Sequence, residues 1–562
     1  MSTADSNPYA LKPWLGLEAY PPGGPPPFPE LLSAFRHCVR RAGGDPALAY
    51  FDSEFSYHWL DERSDALASW LAEHARLTRG DRVAVVLQNV PDFPVITLAA
   101  WKIGAVVMPL NPMYRERELT HLFADATPSV IVCHHGTGPL MKASAAAAGL
   151  PAATPVLSVS PRAHQSRNDS RVLPAEPLID AGCLDLALIV GQCQALRSQL
   201  RMFTPDARDP ALLLYTSGTT GAPKAAILSH GALCCDAYLK VGCSGLGRGG
   251  RIFSVAPLFH VIGFNLHMGV AWATGGMLIL TYRFQPHVVL ETLLERRPTY
   301  MACTITAIFA LVATELATAE HFASLQSLYS GGAPVPPHAV ERFRQKFGKR
   351  IRTGYGMTEL SGASHAAPVD DVPVHAESGA LAVGVPLPGI EAEIRTDDDR
   401  PAPVGVAGEL LVRGPILMKG YWKRPQENAE ALRDGWLRTG DIAIMDAAGW
   451  FYIVDRKKDM ISASGFKVWP REVEDVLYQY PGVREVAVVG TPDDYRGETV
   501  VACISLFTGA AVTAAELTEF CRSRLAAFKI PTRIEFLAEL PKTSSGKIMR
   551  GEVRRQMRGP QQ

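Results

Sequence analysis

The sequence predicts an α/β protein: a large N-terminal portion built on a mostly parallel sheet, followed by a smaller α+β unit. Three observations carry this. At 562 residues the chain is too long for one small core, given about 100–200 residues per domain. Short apolar runs alternate with helical periodicity after residue 80, the pattern of β-α-β units. Roughly the last hundred residues mix strands and helices on their own, a plausible size for a small domain.

In chain order, the Pro- and Gly-rich stretch from Pro8 to Pro29 predicts irregular backbone over the surface. Leu60, Leu67, Trp70 and Leu71 then fall on one face of a predicted helix. Val83–Leu87 reads as a buried strand, Asp92–Trp101 as helix and Ala105–Met108 as strand. Glu116–Phe123 follows as helix and Val130–Cys133 as strand. Between Gly136 and Asp209 the pattern weakens, and the Ala145–Ala148 run and the polar Gln165–Arg171 stretch predict surface excursions. Alternation resumes with a strand at Leu212–Tyr215. Near the C-terminus, Glu485–Val489, Val500–Leu506 and Arg533–Phe536 read as strands. Thr513 and Glu516 have capping-box spacing for the helix carrying Leu517 and Phe520. The charged run Asp455-Arg456-Lys457-Lys458 predicts an exposed boundary, dividing the chain into residues 1–456 and 457–562.

Lys+Arg and Asp+Glu both number 56, so no global field attracts nucleic acid or anionic lipid, and phosphate binding must be local. The ten cysteines include no C-x-x-C pair and read as buried, reduced thiols. No apolar stretch reaches the roughly 18 residues of a membrane span. The N-terminus has no basic start followed by an apolar run, and the chain ends Gly-Pro-Gln-Gln. These features predict a cytoplasmic protein, with peripheral membrane contact left open.

The strand at Leu212–Tyr215 runs into Thr216-Ser217-Gly218-Thr219-Thr220-Gly221-Ala222-Pro223-Lys224. Glycines allow the backbone to approach phosphate oxygens, hydroxyls donate to them, and Lys224 adds positive charge. Composition alone also suits a surface turn. A Walker loop is excluded: Ala222-Pro223 separates Gly221 from Lys224, and Ala225 stands where the metal-binding hydroxyl belongs.

Together with further segments, this loop resembles the signature of the adenylate-forming (AMP-binding) superfamily. Those segments are Ala256-Pro257-Leu258-Phe259-His260, Ser330-Gly331-Gly332-Ala333-Pro334, Gly354-Tyr355-Gly356-Met357-Thr358-Glu359, Trp436–Asp441, Asp455–Asp459 and Pro541–Lys547. They occur in the family's order. The resemblance implies mostly parallel sheets with a β-subdomain, and a mobile C-terminal domain. It implies ATP and AMP contacts from Thr216, Ser217, Gly218, Thr219, Thr220, Gly221, Lys224, Gly332, Ala333, Pro334, Gly354, Tyr355, Gly356, Met357, Thr358, Asp441, Ile453 and Arg456. Thr216 and Glu359 would hold Mg²⁺, a hard cation met by oxygen. Tyr355 would stack on adenine, and Asp441 and Arg456 would bind the ribose. Lys547 would stabilise charge on the α-phosphate and carboxylate, with His260, Thr358 and Glu359 also catalytic. Lys458 would be the hinge, and Gly465, Phe466 and Lys467 would serve coenzyme A in a second conformation.

Val261-Ile262-Gly263-Phe264-Asn265 contains no carboxylate to pair an ammonium, which counts against an amino acid substrate. His260, Val261, Phe264, Ile305 and Gly331 are expected around an apolar acyl pocket, with Phe309 nearby. The resemblance is greatest to bacterial medium- and long-chain fatty acyl-CoA synthetases. It implies ATP-, Mg²⁺- and CoA-dependent conversion of a hydrophobic acid to its thioester by a monomer or homodimer. Aryl or cinnamoyl-type CoA ligases are the nearest alternative. A fatty acyl-AMP ligase would pass the adenylate to a carrier protein, and a luciferase would need oxygen chemistry. A non-catalytic binding protein would lose Lys547, Glu359 or Asp441, and all three are present.

Overall fold

The computed structural model describes residues 26–175, 179–193, 203–216, 223–368, 371–376, 378–463, 466–493, 497–543 and 546–558. Val83 to Val86 are buried on both faces of the strand Arg82–Val86, as a continuous Val/Ala run dictates. This strand is central to a seven-stranded sheet ordered Leu184–Asp185, Val156–Val159, Val130–His134, Arg82–Val86, Val106–Pro109, Pro210–Thr216, Lys224–Ser229. Every pairing in it is parallel except the last, where Pro210–Thr216 and Lys224–Ser229 run antiparallel.

A nine-stranded sheet forms the second layer. Five of its pairings, from Arg352–Met357 through Ser327–Ser330, Tyr300–Cys303, Arg251–Phe253 and Met277–Leu280 to Pro46–Tyr50, are parallel. Antiparallel strands close both edges. The helices Tyr57–Glu73, Asp92–Lys102 and His230–Ser244 contribute to a core shared by the two sheets. Asp92–Lys102 is buried on every side, as expected of a helix without a polar face. Its one cation, Lys102, is satisfied by Asp61 at 2.7 Å and Asp65 at 2.6 Å.

A five-stranded antiparallel sheet follows, formed by Glu391–Arg395, Gly408–Arg413, Leu432–Arg433, Trp436–Met445 and Phe451–Arg456. Beyond the short turn Lys457–Asp459 the chain enters another five-stranded sheet, starting at Ile461–Ala463. Its long hairpin, Val483–Asp493 with Gly497–Leu506, packs against the helices Pro470–Leu477 and Arg550–Arg558. The helix Ala514–Arg522 begins with the expected Thr513–Glu516 capping box.

Two expectations are corrected. The Ala145–Ala148 run is largely helical rather than a loop: Ala145 is buried in the helix Gly138–Ala147 together with Met141, whereas Ala146 and Ala147 are exposed on its other face. The charged run at 455–459 is exposed only at Lys457 and Lys458, whereas Asp455 and Asp459 are buried. Arg550 reaches Asp455 at 2.9 Å and Arg554 reaches Asp459 at 3.2 Å, so partners from the last helix replace water. Among the described residues no helix is long and apolar enough to cross a membrane. All ten cysteines are free.

Candidate active site

The parallel strands deliver their C-terminal ends to one cleft, where open α/β sheets bind ligands. The cleft, about 1810 Å³, is lined from all four sheets and by residues of almost every predicted motif. Thr216 ends one strand and Lys224 starts the next, directly opposite in antiparallel register. Both therefore stand at the stem of the predicted phosphate loop. Ser217, Gly218, Thr219, Thr220 and Gly221 lie outside the described residues. Lys224 pairs loosely with Glu427 at 3.7 Å, an exposed contact a ligand phosphate would outcompete.

Tyr355, Gly356 and Met357 close the strand Arg352–Met357, and Thr358 and Glu359 follow in a single 3₁₀ turn. Gly356 cannot carry a side chain, because a Cβ there would overlap the Gly362 carbonyl. The Tyr355 hydroxyl donates to Asp441 Oδ2 at 2.6 Å, and Arg456 Nε meets Asp441 Oδ1 at 2.7 Å. Asp441 is thereby aimed by two partners from different sheets. Its strand pairs it directly with Arg456, since Asp441 and Arg456 are register partners. Ile453, on the same strand as Arg456, also lines the cleft.

Glu359 accepts from the Tyr421 hydroxyl at 2.8 Å. The Thr216 hydroxyl donates to the Lys224 carbonyl at 3.3 Å, leaving its oxygen lone pairs unused. Among the described residues no three His, Cys, Asp or Glu side chains form a metal cage. One carboxylate and one hydroxyl lining the same cleft match the donor set of Mg²⁺, which takes one or two carboxylates plus substrate phosphates rather than an all-protein cage.

Lys547 sits on a tight turn held by Thr543, whose hydroxyl accepts from the Lys547 N–H at 3.1 Å. The turn reaches across the cleft, so that Gly546 lies against Thr304 and Thr306. Burial lowers the Lys547 pKa to about 8, with Arg456 pushing the same way and Asp441 opposing it. Burial and the Lys547 charge lower His260 to about 4, so its imidazole is neutral at pH 7. His260 Nδ1 accepts from the Ile262 N–H at 3.3 Å, leaving Nε2 as the donor.

Gly331, Gly332, Ala333, Pro334, Gly354, Val261 and Ile305 all line the cleft, with Phe309 beside them. Phe264 does not. It is fully buried in the helical layer, its ring 6.3 Å from Phe93 and 6.0 Å from Trp101. The reason is local: Val261–Gly263 is one α-helical turn, and Phe264 opens the π-helical segment Phe264–Gly269, so its side chain faces the core. Gly465 lies outside the described residues. The backbone of Phe466 and Lys467 forms the strand Phe466–Val468 at the edge of the last sheet.

Sequence reasoning missed the inner wall of the cleft, which includes Lys240, Leu266, Ala302 and Tyr329. Their only sequence trace was an acid and a base four residues apart, Asp236 and Lys240, inside an otherwise apolar helix.

Residues 35–422 match the AMP-binding enzyme family, and residues 472–547 match the AMP-binding enzyme C-terminal domain. The chain belongs to the AMP-binding enzyme family. It is an enzyme of the adenylate-forming acid–CoA ligase class. It is 35% identical over 551 residues to the long-chain-fatty-acid–CoA ligase of Salmonella typhimurium, covering 95% of this chain and 96% of the relative. It is 34% identical over 520 residues to a feruloyl-CoA synthase of Amycolatopsis, covering 92% and 97%. The crystal structure of ATP-bound MatB from Rhodopseudomonas palustris superposes with a TM-score of 0.82 at 27% identity, covering 94% and 99%. This AMP-binding enzyme therefore shares its architecture with ATP-dependent relatives along nearly its whole length.

Proposed function

We propose that this AMP-binding enzyme is an acyl-CoA synthetase that activates a carboxylic acid with an apolar tail, a medium- or long-chain fatty acid by its nearest resemblance. One observation carries the reading: Lys547, the Tyr355–Asp441–Arg456 cluster and an apolar chamber meet in one cleft. In the first step a substrate carboxylate oxygen attacks the α-phosphorus of ATP, and pyrophosphate leaves. Asp441 accepts from the ribose hydroxyls and Arg456 donates to the ribose, while Tyr355 packs on the adenine. Lys547 and the neutral His260 place an ammonium and an N–H donor where the attacking carboxylate and the phosphate crowd their negative charge. Thr216 and Glu359 would hold Mg²⁺, which would neutralise phosphate charge when bound.

In the second step the thiol of coenzyme A attacks the acyl carbonyl and AMP leaves. Lys547 has no part in this step. Residues 457–562 are proposed to turn about Lys458, withdrawing Lys547 and presenting Gly465, Phe466 and Lys467. The exposure of Lys457 and Lys458 between two sheets supports a pivot there. An aryl-CoA ligase is the second reading, favoured by the similarity to a feruloyl-CoA synthase. Incubation with ATP, Mg²⁺, CoA and a graded panel of fatty and aryl acids tests both. Pyrophosphate release with some of these acids is expected, and none at any chain length overturns the proposal.

A further inference from the structure

The inner wall of the cleft carries a buried lysine. Lys240 lines the cleft and is only 2% exposed. Its Nζ stands 3.0 Å above the Tyr329 ring and 5.9 Å from that of Tyr300. Tyr329 pairs with Ala302 one residue before Ser330 and Cys303, so this wall lies deeper in the sheet than the Ser330–Pro334 motif. Among the described residues no carboxylate forms a salt bridge with Lys240. Burial lowers the Lys240 pKa, with Arg352 pushing the same way, while the Cys243 side chain, which hydrogen-bonds it, and Asp236 favour the ammonium. The Asp236 carboxylate is itself engaged, accepting from Asn265 Nδ2 at 2.8 Å and the Ala363 N–H at 3.0 Å.

Among the described residues, a hydrocarbon tail seated against Lys240 would leave its ammonium with only the Cys243 side chain and the two tyrosine rings as partners, short of an oxygen acceptor, which is costly in a buried site. An oxygen acceptor at the end of the tail would satisfy it.

We propose that the chamber is built for acids whose apolar tail ends in a hydrogen-bond acceptor, received by Lys240. This rests on the acyl-CoA synthetase reading and narrows its substrate. The acceptor chemistry is shared by an ω-carboxylate on an alkyl chain and by a phenolic oxygen on an aryl acid. Two matched pairs separate these sources: decanedioate against decanoate, and 4-hydroxycinnamate against cinnamate. The readout is kcat/KM for CoA-dependent pyrophosphate release.

In at least one pair the oxygen-bearing acid is expected to lead by at least about tenfold, because a site built to bond an oxygen rejects the analogue lacking it. Lys240→Met, close in volume and uncharged, is expected to bring that ratio to about one by removing the cation that reads the oxygen. The proposal is overturned if the plain acid is used as well as or better than its partner in both pairs. An unchanged ratio in a folded Lys240→Met also overturns it. Both outcomes leave acyl-CoA synthesis standing. Absence of pyrophosphate with all four acids and with longer fatty acids would remove the enzyme reading itself. The wild-type ratios decide the matter even if the variant does not fold.

Discussion

At the ATP end of the cleft, Asp441 and Arg456 are register partners on adjacent strands, and Tyr355 closes the same constellation with a 2.6 Å hydrogen bond. At the acyl end, Lys240, Leu266, Ala302 and Tyr329 come from two helical segments and two strands that share no motif. On the proposed reading, the ATP end binds charged groups fixed in geometry, which calls for donors, acceptors and tight glycines. The acyl end must fit a tail, and volume and burial decide its residues. Two positions three residues apart in one segment can therefore have opposite fates, as Val261 in the cleft and Phe264 in the core demonstrate.

That contrast is breakable. Phe264→Ala is expected to cost about 3–5 kcal/mol of stability by leaving a cavity against Phe93 and Trp101, measured by urea unfolding. The ranking of acids by kcat/KM should stay as in the wild type. A reordered ranking with unchanged stability would place Phe264 in the chamber after all.

Lys547→Ala sharpens the ATP end. Adenylate formation should fall by about 10²–10³, in line with loss of one charge-stabilising donor, followed as single-turnover pyrophosphate release. Transfer from a synthetic acyl-adenylate to CoA should stay close to wild type, and equal loss in both steps would sink the two-conformation account.

The smallest effect expected is on pH dependence. Lys547 acts as an ammonium and its pKa is lowered to about 8, so raising pH through that value removes the active form. The kcat/KM for ATP should decline above pH 8 by about tenfold per unit, and Lys547→Arg should abolish that limb. Bound ATP adds negative charge and raises the lysine, so the limb in kcat should lie higher. His260, at about 4, contributes no limb between pH 6 and 8.

Much of the fold was legible because parallel strands announce themselves. Val83–Leu87 and Val130–Cys133 are continuous apolar runs, and both are strands within one residue of the expected bounds. The Gly138–Ala147 helix was not legible: its alanine-rich run resembles a linker, and it is the buried Met141, Ser144 and Ala145 that tie it to the core. The charged run from Asp455 to Lys458 misled only at its first residue, since Arg550, almost a hundred residues on, pairs with the buried Asp455.

By itself the sequence determined which residues stand at the proposed ATP end. Glycine at 356, the acid at 441 and the lysine at 547 are dictated by close backbone approach and by charge, which residue identity states directly. Tertiary structure alone decided the acyl end. Nothing local to Lys240 says that Tyr329 will lie beneath its ammonium, or that the cleft will reach it. A pocket's floor is made by side chains distant in sequence, and its meaning exists only once packing brings them together.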